Sequence, residues 1–146
     1  MRSAIRHEGP GRLLVHRLKY DAIQYAAEVL ADQMPDLVGD ATGLVPVPRT
    51  IVRRHRYGVD PGVEIARALA RRTALPVVMA LRPAGWGRRH AGVTRDRRVE
   101  PSFRLRRPAP EGAILVDDVI TTGLTIATAA RLTGLTRAVT ATSRMR

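Results

Sequence analysis

The residues best equipped for chemistry stand together in Ile114–Thr125, ILVDDVITTGLT. An apolar run meets two adjacent acids, Asp117 and Asp118, and then a threonine cluster around Gly123. The two halves suit different ligands. Thr121, Thr122, Gly123, Leu124 and Thr125 lead into a helix, whose first N–H groups and dipole attract an anion. The hydroxyls add donors, and Gly123 lets the backbone approach closely. Such a turn suits a phosphate monoester. The carboxylates would repel a phosphate unless they face something else. A sugar's vicinal hydroxyls answer that need, because each carboxylate accepts hydrogen bonds from them. A ribose 5-phosphate group satisfies both halves. A strand ending in an aspartate cap and a threonine turn would explain one Asp and one Thr, but not the full order.

These residues need elements to hold them. Ile114–Val116 reads as a buried strand that places Asp117 and Asp118 at its carboxyl edge, where open α/β sheets bind ligands. Gly123–Leu132 reads as the following helix and Ala138–Thr142 as another strand. Upstream, Leu44–Val47 and Leu75–Leu81 read as strands. Between them Pro61 opens a helix to about Thr73, with Asp60 as cap. Ser3–His7 is a candidate strand, followed by a Gly-Pro-Gly break at 9–11. Leu13–Leu18 then reads as a turn or two of helix, and Asp21–Met34 as a helix with Asp21 as its cap. Arg82–Arg107, rich in arginine, glycine and proline, reads as a long loop with a short hairpin near Ser102–Leu105. Strands alternating with helices imply an α/β fold with a mainly parallel sheet flanked by helices. One domain is expected over 1–146: a small N-terminal helical cap at 1–40, and a core at 41–146 carrying a mobile loop at 82–107.

Composition narrows the setting. The chain has 146 residues, 45% of them hydrophobic and only 3% aromatic, so the core must be aliphatic. With no cysteine, disulfides and thiolate metal sites are excluded. No apolar run nears the roughly 18 residues of a membrane span, so no membrane partner is expected. Met1–Pro10 lacks the apolar centre of a signal peptide, which makes a cytoplasmic location the expectation. The net charge is +12, and Lys19 is the sole lysine among 25 Lys and Arg residues. That charge attracts polyanions, including nucleotides, pyrophosphate and nucleic acid. Low aromatic content speaks against stacking on single strands. A homodimer is left open.

The stretch ILVDDVITTGLT is similar to the diphosphoribosyl-phosphate signature of type I phosphoribosyltransferases: apolar residues, two acids, two variable positions, then Thr-Gly-x-Thr. Other segments resemble the ComF-like, competence-associated branch of that family. They are HRLKYDAIQYAAEVLA, the proline-rich VPVPRT, YGVDPGVEIARALA and HAGVTRDRR. Tyr57 stands where arginine is common and His90 where glutamine is common, and no cysteines exist to build the branch's N-terminal zinc ribbon.

The resemblance implies the type I phosphoribosyltransferase fold and chemistry at C1 of phosphoribosyl pyrophosphate (PRPP), with pyrophosphate leaving and a nucleophile, often nitrogen, attacking. It implies Mg²⁺ bridging pyrophosphate oxygens and ribose hydroxyls. Asp117 and Asp118 would touch the metal only through hydroxyls or water, so no direct protein metal site is expected. Pro48, Arg49 and Thr50 would cradle pyrophosphate; a rigid turn with Arg49 in water is the alternative. Arg88, Arg89, Arg95 and Arg97 would belong to a lid that excludes water, with His90 a candidate general base; a solvated charge run is the alternative. Three functions remain open on the sequence: a Mg²⁺-dependent phosphoribosyltransferase, a PRPP- or nucleotide-binding regulator without turnover, and a competence-type protein associated with nucleic acid.

Overall fold

A computed structural model describes residues 1–49, 58–84 and 103–144. In chain order the elements are β1 (Arg2–Arg6), α1 (Gly9–Tyr20), α2 (Tyr25–Ala31), α3 (Pro35–Val38), β2 (Leu44–Pro46), α4 (Pro61–Thr73), β3 (Leu81–Pro83), β4 (Phe103–Leu105), β5 (Ile114–Ile120), α5 (Leu124–Thr133) and β6 (Ala138–Ser143). β1, β6, β5 and β2 form one all-parallel sheet in that order, and β3 and β4 form a separate antiparallel pair. This is an α/β fold with helices on the sheet.

The strand pattern follows from burial on both faces. Along β5, Ile114 and Val116 join one cluster with Leu44, Val139 and Ala141 and with the helix residues Leu30, Ile65 and Leu69. Leu115 points to the other face, with Val45, Phe103, Ile126 and Ala129. Alternate side chains serve opposite layers, so a strand covered twice reads as an unbroken apolar run. α4 carries its apolar residues at 65, 66 and 69, all fully buried. Each such Ile or Leu contributes about 1.5–3 kcal/mol of transfer free energy.

Several expectations change in detail. β5 runs seven residues rather than three, so Asp117 and Asp118 lie inside the strand, with Asp117 in register with Thr140. The Gly-Pro-Gly stretch does not break the chain; it opens α1, because proline is tolerated at a first helical turn whose N–H groups have no partner. Asp21 closes α1 instead of starting the next helix. Its N–H donates to Arg17 O at 3.1 Å, and Ala22 then adopts φ 53°, which ends helical propagation before α2. Within Leu75–Leu81 only Val77 meets the sheet, as a single bridge to Leu44, while Leu81 starts β3. Pro76 supplies no N–H to extend that ladder. The N-terminal segment holds α1, α2 and α3, and also an edge strand of the main sheet, β1. The hairpin expected near Ser102–Leu105 is instead a pairing of β4 with β3 across the arginine-rich segment. Residues 85–102 of that segment, the expected lid, lie outside the described residues. Among the described residues no helix is long and apolar enough to cross a membrane.

Candidate functional site

The site begins where the sheet loses a strand. β2 pairs with β5 only as far as Pro46 opposite Val116, and the last bond is Val47 N–H to Val116 O at 2.9 Å. Pro48 has no N–H with which to continue. β5 nevertheless runs on to Ile120, held on its other side by β6. Asp117 and Asp118 therefore stand beside a missing neighbour. α4 closes in from one side: a Cβ on Gly62 would lie 2.6 Å from Val47 O and 3.5 Å from Val116 O, so only glycine lets the helix start so near the strand ends. α1 closes in from another. Its residues Arg12, Val15, His16, Lys19 and Tyr20 share one face by helical spacing and line the same space. The result is a cavity of about 470 Å³ that reaches Asp117, Asp118, Thr121 and Thr125.

Both acids are more enclosed than a strand-end position implies, at 8% exposure for Asp117 and 6% for Asp118. Both still line the cavity wall. Asp117 Oδ1 accepts the Asp118 N–H at 2.8 Å. The Asp118 carboxylate forms an ion pair with the Lys19 ammonium, and the side chains keep only 9% and 19% of their exposure. Burial pushes the Asp117 carboxyl well above the ordinary aspartate range, and the neighbouring Asp118 charge adds to the effect. The two carboxyls are thus differentiated: one matched to a cation, the other biased toward its neutral form.

The threonine turn follows directly. Gly123 has φ +76°, the left-handed region that L side chains avoid, and it caps α5. Its role at this position is conformational as well as steric. The first intrahelical bond runs from Ala127 N–H to Gly123 O at 2.9 Å, so the N–H groups of Leu124, Thr125 and Ile126 form the open first turn. Thr121 and Thr125 line the cavity; Thr122, Gly123 and Leu124 sit on the turn beside it. Thr121 and Thr122 are exposed.

Pro48 and Arg49 line the cavity as well. Arg49 has structural bonds of its own. Its N–H donates to Asp60 Oδ2 at 3.0 Å, and its Nη1 donates to Lys19 O at 3.1 Å and Val59 O at 3.4 Å. The guanidinium lies 5.9 Å from the Tyr20 ring centroid. Arg49 therefore ties the end of α1, and with it Lys19, to the start of α4. Thr50, Arg88, Arg89, His90, Arg95 and Arg97 lie outside the described residues. Among the described residues no cluster of three His, Asp or Glu forms a metal cage.

Five basic cavity residues were not singled out as site residues from the sequence: His7, Arg12, His16, Lys19 and Arg144. Lys19 carried a readable signal, as the one lysine in a chain that otherwise uses arginine. A compact ammonium fits beside a buried carboxylate where a planar guanidinium fork demands more room. His7 is placed by non-local bonds: its N–H donates to Ser143 O at 2.8 Å, and its Nδ1 lies 2.8 Å from Thr142 Oγ1. The Thr142 hydroxyl donates to Asp118 O at 3.2 Å. Burial and the nearby cations Arg144, Lys19 and Arg12 hold the His7 pKa below the ordinary histidine value, with Asp118 opposing them.

Fold and site together define an α/β protein whose buried acid pair, lysine and threonine turn share one cavity. Comparisons with protein-family models, curated proteins and solved structures found no match.

Proposed function

We propose that this chain is a Mg²⁺-dependent, phosphoribosyltransferase-like protein that binds PRPP and transfers its phosphoribosyl group to a nitrogen acceptor, releasing pyrophosphate. The observation that carries this reading is the meeting of Asp117, Asp118, Thr121 and Thr125 in one cavity, at the point where β2 stops and β5 continues. An acid pair for ribose hydroxyls and an open helix turn for the 5′-phosphate stand side by side there. Lys19 and Arg49 add positive charge to the cavity wall, which suits a ligand bearing several phosphates.

Little covalent work falls to the protein in such a transfer. The C1–O bond to pyrophosphate breaks with its electron pair leaving on oxygen, and the acceptor nitrogen forms the new C1 bond. The chain's task is to hold C1 in line and to stabilise charge. Asp117 and Asp118 orient the ribose, and α5's first turn fixes the phosphate. Lys19 keeps Asp118 in place, so the sugar clamp is preorganised. The donor set fits a metal carried mainly by ligand oxygens and water, since it offers two carboxylates, one already matched by Lys19. Asp117 and Asp118 are the groups that would face Mg²⁺, which when bound neutralises pyrophosphate charge.

The test is calorimetry with PRPP, with and without Mg²⁺, followed by a screen of amines and nucleobases scored by pyrophosphate release. Binding strengthened by Mg²⁺, lost in Asp117→Asn/Asp118→Asn, and release with at least one acceptor are expected. No PRPP binding by the wild-type chain would overturn the reading. Binding without release from any acceptor would instead assign the cavity to PRPP sensing.

A further inference from the structure

The cavity has a second polar wall that the ribose phosphate assignment does not use. Arg12 comes from α1, His7 from the turn after β1, and Arg144 from the chain just past β6. Arg144 is anchored by its N–H to Ile120 O at 3.0 Å, which brings the end of β6 against the end of β5. Arg12 and Arg144 are exposed, and no carboxylate among the described residues pairs with either. Elsewhere Arg17, Arg67, Arg71, Arg72 and Arg137 are each matched to an acid.

His7 fits the same wall through its tautomer. The Thr142 hydroxyl has one hydrogen, and it goes to the Asp118 carbonyl. The contact between His7 Nδ1 and Thr142 Oγ1 is then a donation from Nδ1–H, which leaves Nε2 as the nitrogen without a proton in the neutral ring. The charged groups facing this ring are Lys19 and Arg12 on α1, Arg144 after β6, and Asp118 on β5. Lys19 and Asp118 are matched to each other. What remains is an uncompensated positive field from two arginines, beside a histidine able to take up a proton.

We propose that His7, Arg12 and Arg144 form an anion subsite that receives a carboxylate or phosphate group of the second substrate. The name of that substrate rests on the transferase reading; the subsite itself does not. An anion seated there donates nothing and accepts from two guanidinium groups, the donors best shaped for carboxylate and phosphate. It also offsets the positive field at His7, so Nε2 takes up a proton more readily and becomes a third donor. Anion binding then takes up a proton and strengthens as pH falls through the His7 titration of the complex.

Sulfate is the probe, because its charge is constant across the titration of histidine. His7 ring resonances are followed by NMR from pH 5 to 8, with and without sulfate. Amide resonances of Thr121–Thr125 are followed in the same samples, and PRPP affinity is measured with Mg²⁺. In the wild-type chain sulfate moves the His7 titration to higher pH. Arg12→Gln and Arg144→Gln, at exposed positions, each weaken that response about tenfold, the equivalent of one charge-assisted hydrogen bond. They leave sulfate-induced shifts at Thr121–Thr125 and PRPP affinity in place. A His7 titration indifferent to sulfate, or equally responsive in both variants, overturns the subsite. Equal weakening of sulfate and PRPP in the variants assigns the wall to PRPP itself and overturns its assignment to a second substrate. A wild-type chain that ignores PRPP but shows the His7 response overturns the transferase reading and leaves the anion subsite standing.

Discussion

Lys19→Met is the most informative single change. It removes the ammonium while keeping an apolar stem of similar length, so packing of α1 against the cavity is largely preserved. The partner it abandons is Asp118, whose side chain retains 9% of its exposure. Breaking a buried pair by deleting one member costs about 3–5 kcal/mol, whereas exposed pairs are worth about 0–1 kcal/mol. With Lys19 itself at 19% exposure, the pair lies near the buried limit but not at it. The expected loss is about 2–3 kcal/mol at pH 7, weighed between those two limits. For a chain of this size that is a fall in Tm of roughly 6–9 °C. Urea denaturation supplies the free energy and a thermal melt the Tm. Adding Asp118→Asn to Lys19→Met removes the stranded charge and recovers at least half of the loss. A loss below about 0.5 kcal/mol, in the range of exposed pairs, or a double variant no better than the single, would refute the desolvated pair and the preorganised clamp built on it.

Three further outcomes follow from the same geometry. Asp117→Asn raises stability at neutral pH while abolishing PRPP binding, since a neutral amide still accepts the Asp118 N–H and no longer resists burial. The sign is set by the raised Asp117 pKa: between the unfolded aspartate value and the folded one the native state holds the extra proton, so wild-type stability falls as pH rises through that window, and the variant's pH–stability curve from urea titrations is flatter there. Gly62→Ala places a Cβ 2.6 Å from Val47 O, forcing α4 away from the end of β2 at a cost of about 1–3 kcal/mol in denaturant titration; a neutral result would show that the helix start is free to shift. Gly123→Val must hold φ near +76°, costing about 1–3 kcal/mol and displacing the first turn of α5, read as lost PRPP affinity in a chain that remains folded by circular dichroism.

Local signals in the sequence were strong where one element needed only its own residues. The apolar spacing of 65, 66 and 69 after a proline start identified α4, because helix burial is periodic along the chain itself. The run Ile114–Val116 marked a strand covered on both faces, and the glycine between threonines marked a turn before a helix. Where proline could either break or begin an element, local reading chose wrongly: Gly9–Gly11 opens α1. Where a strand needed a neighbour, it could not set the length. Leu75–Leu81 lost most of its pairing, whereas β5 gained four residues because β6 lies alongside it.

By itself, then, the sequence determined an aliphatic α/β chain with an acid pair and a threonine turn in fixed order, and a surplus of positive charge. Those properties reside in residue type and in spacings of a few positions. Only the tertiary structure decided that β1 joins β6, that Lys19 closes on Asp118 from 99 residues away in numbering, and that His7, Arg12 and Arg144 face the same cavity. The physical reason is that desolvation and Coulomb fields depend on distance through space. The chemistry of a carboxylate or an imidazole is set by whatever the fold brings beside it.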